Sequence, residues 1–85
     1  MAKYELRIKP SAVKEIEELP RKDRARVARR IRELSEKPRP YGCEKLSEEE
    51  KYRIRQGNYR IVYSIDDAQL LVLIVKVGHR KEVYR

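Results

Sequence analysis

Seven residues in the second half of this 85-residue chain have the types and spacing for chemistry on a phosphate: Glu44, Arg53, Arg55, Arg60, His79, Arg80 and Tyr84. A guanidinium matches the oxygens of a phosphate with paired donors and keeps its charge at every relevant pH. His79 is the only histidine, and imidazole is the side chain suited to proton transfer near neutrality. Tyr84 offers a phenol for stacking on a base or for giving up a proton. Glu44 offers a carboxylate that can take a proton or hold an arginine in place. Each residue also has an ordinary reading: an exposed tail histidine, an apolar anchor in Tyr84, a plain loop charge in Glu44, one more surface arginine in Arg80. Cys43 reads as a small apolar packer, since nothing beside it makes a nucleophile of a thiol.

What joins the arginines is a hairpin. Lys51 to Gln56 and Tyr59 to Ile65 are strand-like runs separated by Gly57-Asn58, and a two-residue connection opening on glycine signals a type II′ turn. That turn sets the register: Gln56 faces Tyr59, Arg55 faces Arg60, Ile54 faces Ile61 and Arg53 faces Val62. One face then carries Tyr52, Ile54, Tyr59, Ile61 and Tyr63. The other carries Arg53, Arg55, Arg60, Val62 and Ser64. Like charges on one rung cost up to ~1 kcal/mol relative to a neutral pair. An anion between Arg55 and Arg60 removes that cost; so does a solvated face balanced by the acidic run Glu48-Glu49-Glu50. The register alone leaves both readings open.

The remaining elements must place this hairpin. Tyr4, Leu6 and Ile8 alternate with charged residues as in a half-buried strand. Ser11 is the expected N-cap of a short helix with Val13, Ile16 and Leu19 on one side, ended by Pro20. A second helix is expected from Arg21 to Glu36, with Val27, Ile31 and Leu34 as its apolar stripe and Arg24, Arg26, Arg29, Arg30 and Arg32 on its other faces. Pro38-Arg39-Pro40-Tyr41-Gly42 breaks it and opens a loop reaching Lys51. Leu70 to Val77 is an unbroken apolar run, expected as a central strand adjacent to the hairpin. The order β-α-α-β-β-β predicts an α+β fold in a single domain over residues 1–85, an antiparallel sheet with a helical hairpin packed on one face.

Composition narrows the function classes. Lys and Arg number 22 against 14 acidic residues, a formal net charge of +8, which favours a polyanionic partner. The longest apolar run falls far short of the ~20 residues that span a bilayer, so no membrane role is expected. No Cys/His spacing suggests zinc and no glycine-rich phosphate loop is present, so neither metal nor cofactor is expected. A lone cysteine fits the reducing cytoplasm.

Lys45-Leu46, Tyr52-Arg53-Ile54-Arg55, Gly57-Asn58-Tyr59-Arg60-Ile61-Val62-Tyr63 and Val77-Gly78-His79-Arg80-Lys81-Glu82-Val83-Tyr84 together closely resemble the RelE-type toxins of the RelE/ParE superfamily. The resemblance implies a RelE-like fold and the toxin of a type II toxin–antitoxin pair. Such toxins are ribosome-dependent endoribonucleases that cut mRNA in the A site, without a metal, by attack of a 2′-hydroxyl on the adjacent phosphate. By resemblance, Arg60 matches the family's catalytic strand arginine, Arg80 the arginine after the last strand, and Tyr84 its C-terminal tyrosine. Arg53 and Arg55 stand where some relatives carry lysines. Arg55 is thereby a candidate for charge stabilisation, and Arg53, Arg55 and Lys51 are candidates for RNA binding. An arginine does not readily give up its proton, so the general base is sought elsewhere, at His79 or Glu44. The implied partners are mRNA on the ribosome, 16S rRNA and a cognate antitoxin. The competing readings are a non-enzymatic gyrase inhibitor of the ParE kind, which shares the fold, and an RNA-binding module without turnover.

Overall fold

The computed structural model describes residues 3–46 and 50–79. Seven elements follow in order: β1 (Glu5–Ile8), α1 (Pro10–Glu17), α2 (Arg21–Leu34), β2 (Glu44–Lys45), β3 (Lys51–Gln56), β4 (Tyr59–Asp66) and β5 (Leu71–His79). The strands form one five-stranded sheet in the order β1-β5-β4-β3-β2, with both helices on one face. The α+β arrangement is the expected one, with two additions. β1 runs parallel to β5, pairing Glu5 with Leu71 through Ile8 with Ile74, so the sheet is mixed. The chain leaves β1 directly into the helical hairpin instead of a β-turn, and that crossover lets the first strand lie along the last in the same direction. The loop expected before the hairpin also contains β2, two residues that pair with Arg53 and Tyr52 of β3.

α1 begins two residues earlier than its sequence suggested, with Lys9 and not Ser11 as N-cap. Pro10 occupies the first turn, and the N-cap makes no side-chain hydrogen bond. Proline is well placed there, because a first-turn N–H has no acceptor within the helix to lose. The buried flank of α1 also differs: Ala12 is buried and Val13 is exposed, with Ile16 and Leu19 packing against the core. Spacings of four and three, from Ala12 to Ile16 to Leu19, keep a straighter row on a 3.6-residue helix than three-residue steps from Val13. α2 buries Val27, Ile31 and Leu34 as expected but ends at Leu34, where the Ser35 hydroxyl donates to the Arg32 carbonyl at 2.7 Å. The stripes meet Tyr52, Ile54, Ile61, Tyr63, Val72, Ile74 and Val77 of the sheet in one core.

The hairpin has the predicted register on every rung, from Lys51 opposite Ser64 to Gln56 opposite Tyr59. Gly57 takes φ +61, the left-handed first position that a type II′ turn requires. Beside it, β4 and β5 slip by one residue: Tyr63 pairs with Ile74 but Val62 with Lys76, leaving Val75 as a bulge. The bulge reverses the alternation of β5. Before it, Val72 and Ile74 enter the core; after it, Val77 does. The Val77 N–H donates to Glu15 Oε1 of α1 at 2.9 Å, and Glu15 Oε2 meets Lys76 Nζ at 3.0 Å.

Among the described residues no helix is long and apolar enough to cross a membrane.

Candidate phosphate-binding site

The outer face of β3 and β4 carries the arginines because the inner face of the same strands is committed to the core. Tyr52, Ile54, Ile61 and Tyr63 are buried inward, which turns Arg53, Arg55 and Arg60 outward by strand alternation. Arg60 is nevertheless only 4% exposed. Its rung neighbours are Arg55 on β3 and Gly78 on β5, and Gly78 has no side chain to compete for space. Arg55 is exposed and Arg53 half-buried.

A cavity of about 240 Å³ opens against this face, lined by Arg30, Gly42, Glu44, Arg53, Ile54, Arg55 and Arg60. Four guanidiniums and one carboxylate therefore border one space. Glu44 comes from β2, which pairs it directly with Arg53; its Oε2 lies 3.4 Å from Arg53 Nη2.

The loop leading to Glu44 is pinned from behind. Arg39 lies over the Tyr52 ring, 5.2 Å from its centroid, and its Nη2 donates to Asp67 Oδ2 at 2.9 Å. The Asp67 carboxyl also accepts from the Tyr4 hydroxyl at 2.7 Å. These bonds hold Asp67 below the ordinary carboxylate value, Arg39 first and Tyr4 second. One residue before Arg39, the Pro38 carbonyl accepts from the Tyr63 hydroxyl at 2.6 Å. Burial is the main reason the Tyr63 phenol is pushed well above its usual value, with Cys43 adding to it. Cys43 packs against the core.

The sequence candidates separate into three groups. Arg53, Arg55, Arg60 and Glu44 come together around the cavity. Lys51 lies on the same strand at the alternate position, half-buried and opposite Ser64, but does not line it. His79 is not brought to the arginines: the bulge at Val75 turns it to the helix side. There it faces Tyr59 across the β4–β5 ladder with the two rings edge to face, centroids 6.0 Å apart. His79 lines a separate hollow with Glu15, Glu18, Leu19, Pro20 and Tyr59, and the Tyr59 hydroxyl donates to Asp23 of α2 at 3.1 Å. Arg80 and Tyr84 lie outside the described residues. Arg30 is the residue that sequence reasoning missed. Its only signal was its place beside Ile31 on the flank of the α2 stripe, which does not by itself separate it from the other helix arginines. Among the described residues no group of three or more His, Cys, Asp and Glu side chains is disposed to hold a metal ion.

Residues 6–84 match the family model described as the ParE toxin of the type II toxin–antitoxin system parDE. The chain is a RelE-type toxin of the RelE/ParE superfamily. Toxin RelG of Mycobacterium tuberculosis is 44% identical over 34 residues, a match spanning 40% of this toxin and 39% of RelG's own length. The similarity to solved structures covers nearly all of the fold. This RelE-type toxin superposes on the RelBE2 toxin–antitoxin complex of M. tuberculosis with a TM-score of 0.81 and 31% identity, covering 91% of this chain and 98% of that one. The archaeal RelE–RelB complex from Pyrococcus horikoshii gives a TM-score of 0.82 at 27% identity, over 92% and 96% of the two chains. A variant of E. coli toxin RelE in the free state gives 0.81 at 30%, over 99% and 92%. In this RelE-type toxin the cavity of arginines joins the outer-face residues Arg53, Arg55 and Arg60 to Arg30 of α2.

Proposed function

We propose that this toxin is a ribosome-dependent endoribonuclease that cuts mRNA in the A site. The observation that carries the proposal is the Arg55–Arg60 rung, with Arg60 only 4% exposed, inside a cavity bordered by four guanidiniums and one carboxylate. Such a concentration of positive charge around a small space suits a phosphate whose oxygens gain negative charge during the reaction.

The reaction needs no group from outside the chain and its substrate. The 2′-hydroxyl oxygen attacks the adjacent phosphorus and the bond from phosphorus to the 5′-oxygen breaks. One proton leaves the 2′-hydroxyl and another reaches the departing 5′-oxygen, leaving a 2′,3′-cyclic phosphate and a 5′-hydroxyl. Arg60 and Arg55 stabilise the phosphoryl oxygens, and Arg53 and Lys51 hold flanking RNA. Glu44 is the proton acceptor, because it is the carboxylate bordering the cavity; His79 faces the helices instead. The family resemblance adds Arg80 as a further charge stabiliser and Tyr84 as a stacking partner or proton donor. The wider basic surface of a chain with net charge +8 contacts 16S rRNA through its phosphates. The toxins of M. tuberculosis and P. horikoshii named above were solved with antitoxins, and a cognate antitoxin of the RelB kind is the expected partner that silences this one in the cytoplasm.

The test is primer extension on mRNA in a purified translation system. Discrete cuts at the A-site codon are expected, reduced about 10²–10³-fold by Arg60→Ala, as for loss of one charge-stabilising donor. Inhibited translation without cuts overturns the mechanism in favour of an RNA-binding module. Blocked gyrase supercoiling with unaffected translation overturns it in favour of the ParE-like activity.

A further inference from the structure

α2 is built as a core helix, yet one of its arginines reaches the phosphate cavity. Arg30 precedes the buried Ile31 and follows the buried Val27 by three residues, so it leaves the helix along the flank of the apolar stripe. β2 pairs only with Tyr52 and Arg53, so the β2 ladder stops at Arg53 and β3 continues toward Arg55 with no partner strand on that side among the described residues. There Arg30 borders the space shared by Arg53, Arg55 and Arg60. Its Nε is buried and makes no hydrogen bond among the described residues, an unfavourable state for an N–H unless an acceptor arrives. Its ion pair with Glu33, 3.3 Å from Nη1, involves a carboxylate that is 55% exposed. Exposed pairs of this kind hold a guanidinium weakly.

We propose that Arg30 is a further RNA-binding residue, holding a backbone phosphate that flanks the scissile one where the RNA leaves the cavity along the edge of β3 beyond Arg53. The identity of the polyanion rests on the RNA-cleavage mechanism above; the placement of Arg30 does not. Arg30 approaches from the helix layer, whereas Arg55 and Arg60 stand on the outer face of the sheet. It therefore serves binding, and its loss weakens affinity without slowing bond cleavage in the bound complex.

The experiment measures fluorescence anisotropy of a labelled single-stranded RNA carrying 2′-O-methyl groups throughout, which cannot be cut, across a salt series. Native protein is compared with Arg30→Met, which keeps an unbranched apolar stem, with Arg30→Lys, and with Arg29→Met as an exposed neighbour on the same helix. Arg30→Met is expected to weaken binding about tenfold and to flatten the slope of log affinity against log salt by ~0.7, the value for one phosphate contact on a single strand. Arg30→Lys should restore the slope and part of the affinity, and Arg29→Met should change affinity less than about threefold. The assignment is overturned if Arg30→Met and Arg29→Met match in affinity and slope. It is equally overturned if RNA binding falls only together with melting temperature and Arg30→Lys does not restore it. Primer extension with native protein separates the two claims. Cuts by native protein with Arg30→Met binding like Arg29→Met remove only the Arg30 assignment. No cuts, with the Arg30→Met loss intact, remove the cleavage mechanism and leave Arg30 as an RNA-phosphate ligand.

Discussion

Arg55 and Arg60 share one rung of the β3–β4 ladder, and the second of them is almost wholly buried. Two like charges at directly opposed positions weaken a sheet, and a bound anion between them would offset that repulsion. Replacing the exposed member should therefore stabilise the free protein while lowering the proposed cleavage activity. Arg55→Thr is expected to raise stability by about 0.5–1 kcal/mol in urea unfolding at low salt. The gain should shrink as salt or inorganic phosphate is added, and A-site cleavage should fall. A variant that loses both stability and activity would show that Arg55 has a structural task beyond charge.

The two candidate proton acceptors lie on opposite sides of the sheet, and their replacements should separate accordingly. Glu44→Gln is expected to lower single-turnover cleavage by about 10²–10⁴-fold, the range for a positioned general base. His79→Ala should change it by less than about tenfold. The reverse pattern would mean that the substrate is approached from the helix side.

Tyr63 is a fully buried phenol whose hydroxyl donates to the Pro38 carbonyl at 2.6 Å. Tyr63→Phe keeps the ring and leaves that carbonyl without its donor. The expected loss is about 1–3 kcal/mol, the cost of a buried polar group left unsatisfied, measured as a shift in urea midpoint at constant m-value.

Asp67 gives the fold an acid-sensitive tie. Arg39 chiefly, and Tyr4 after it, hold its carboxyl below the ordinary value of 3.8. A depressed carboxylate stabilises the folded state above its unfolded value and loses that contribution as pH falls through the folded one. Asp67→Asn should therefore melt slightly below the native protein at pH 7. The gap should close as the pH is taken below about 3.9, the value for a free aspartate. Because Asp67 is exposed, the difference should also diminish with added salt. A gap that persists unchanged in acid would place the tie elsewhere.

The hairpin was legible in the sequence because Gly57 dictates its turn, and a two-residue turn permits one register; every facing pair follows from it. The α2 stripe was legible because Val27, Ile31 and Leu34 keep helical spacing. Three features were not. Nothing local to Glu44 and Lys45 marks a strand, since two residues become one only by finding Arg53 and Tyr52 beside them. The parallel placement of β1 depends on where the helical hairpin returns the chain, a tertiary outcome. Arg30 looked like its solvated neighbours until the cavity beside β3 gave it a destination.

The bulge at Val75 means that β5 is read in two frames. Up to Ile74, even-numbered residues build the interior and odd-numbered ones look outward; from Val77 the assignment is exchanged. A hydrophobic residue at position 73 and one at position 77 thus answer to different selective demands, although both sit in the same apolar run. Glu15, which accepts the Val77 N–H, acts as the punctuation mark between the frames. Were the same residues paired without the bulge, Val77 and not Gly78 would stand opposite Arg60, and the site would take a different shape on an otherwise unchanged scaffold.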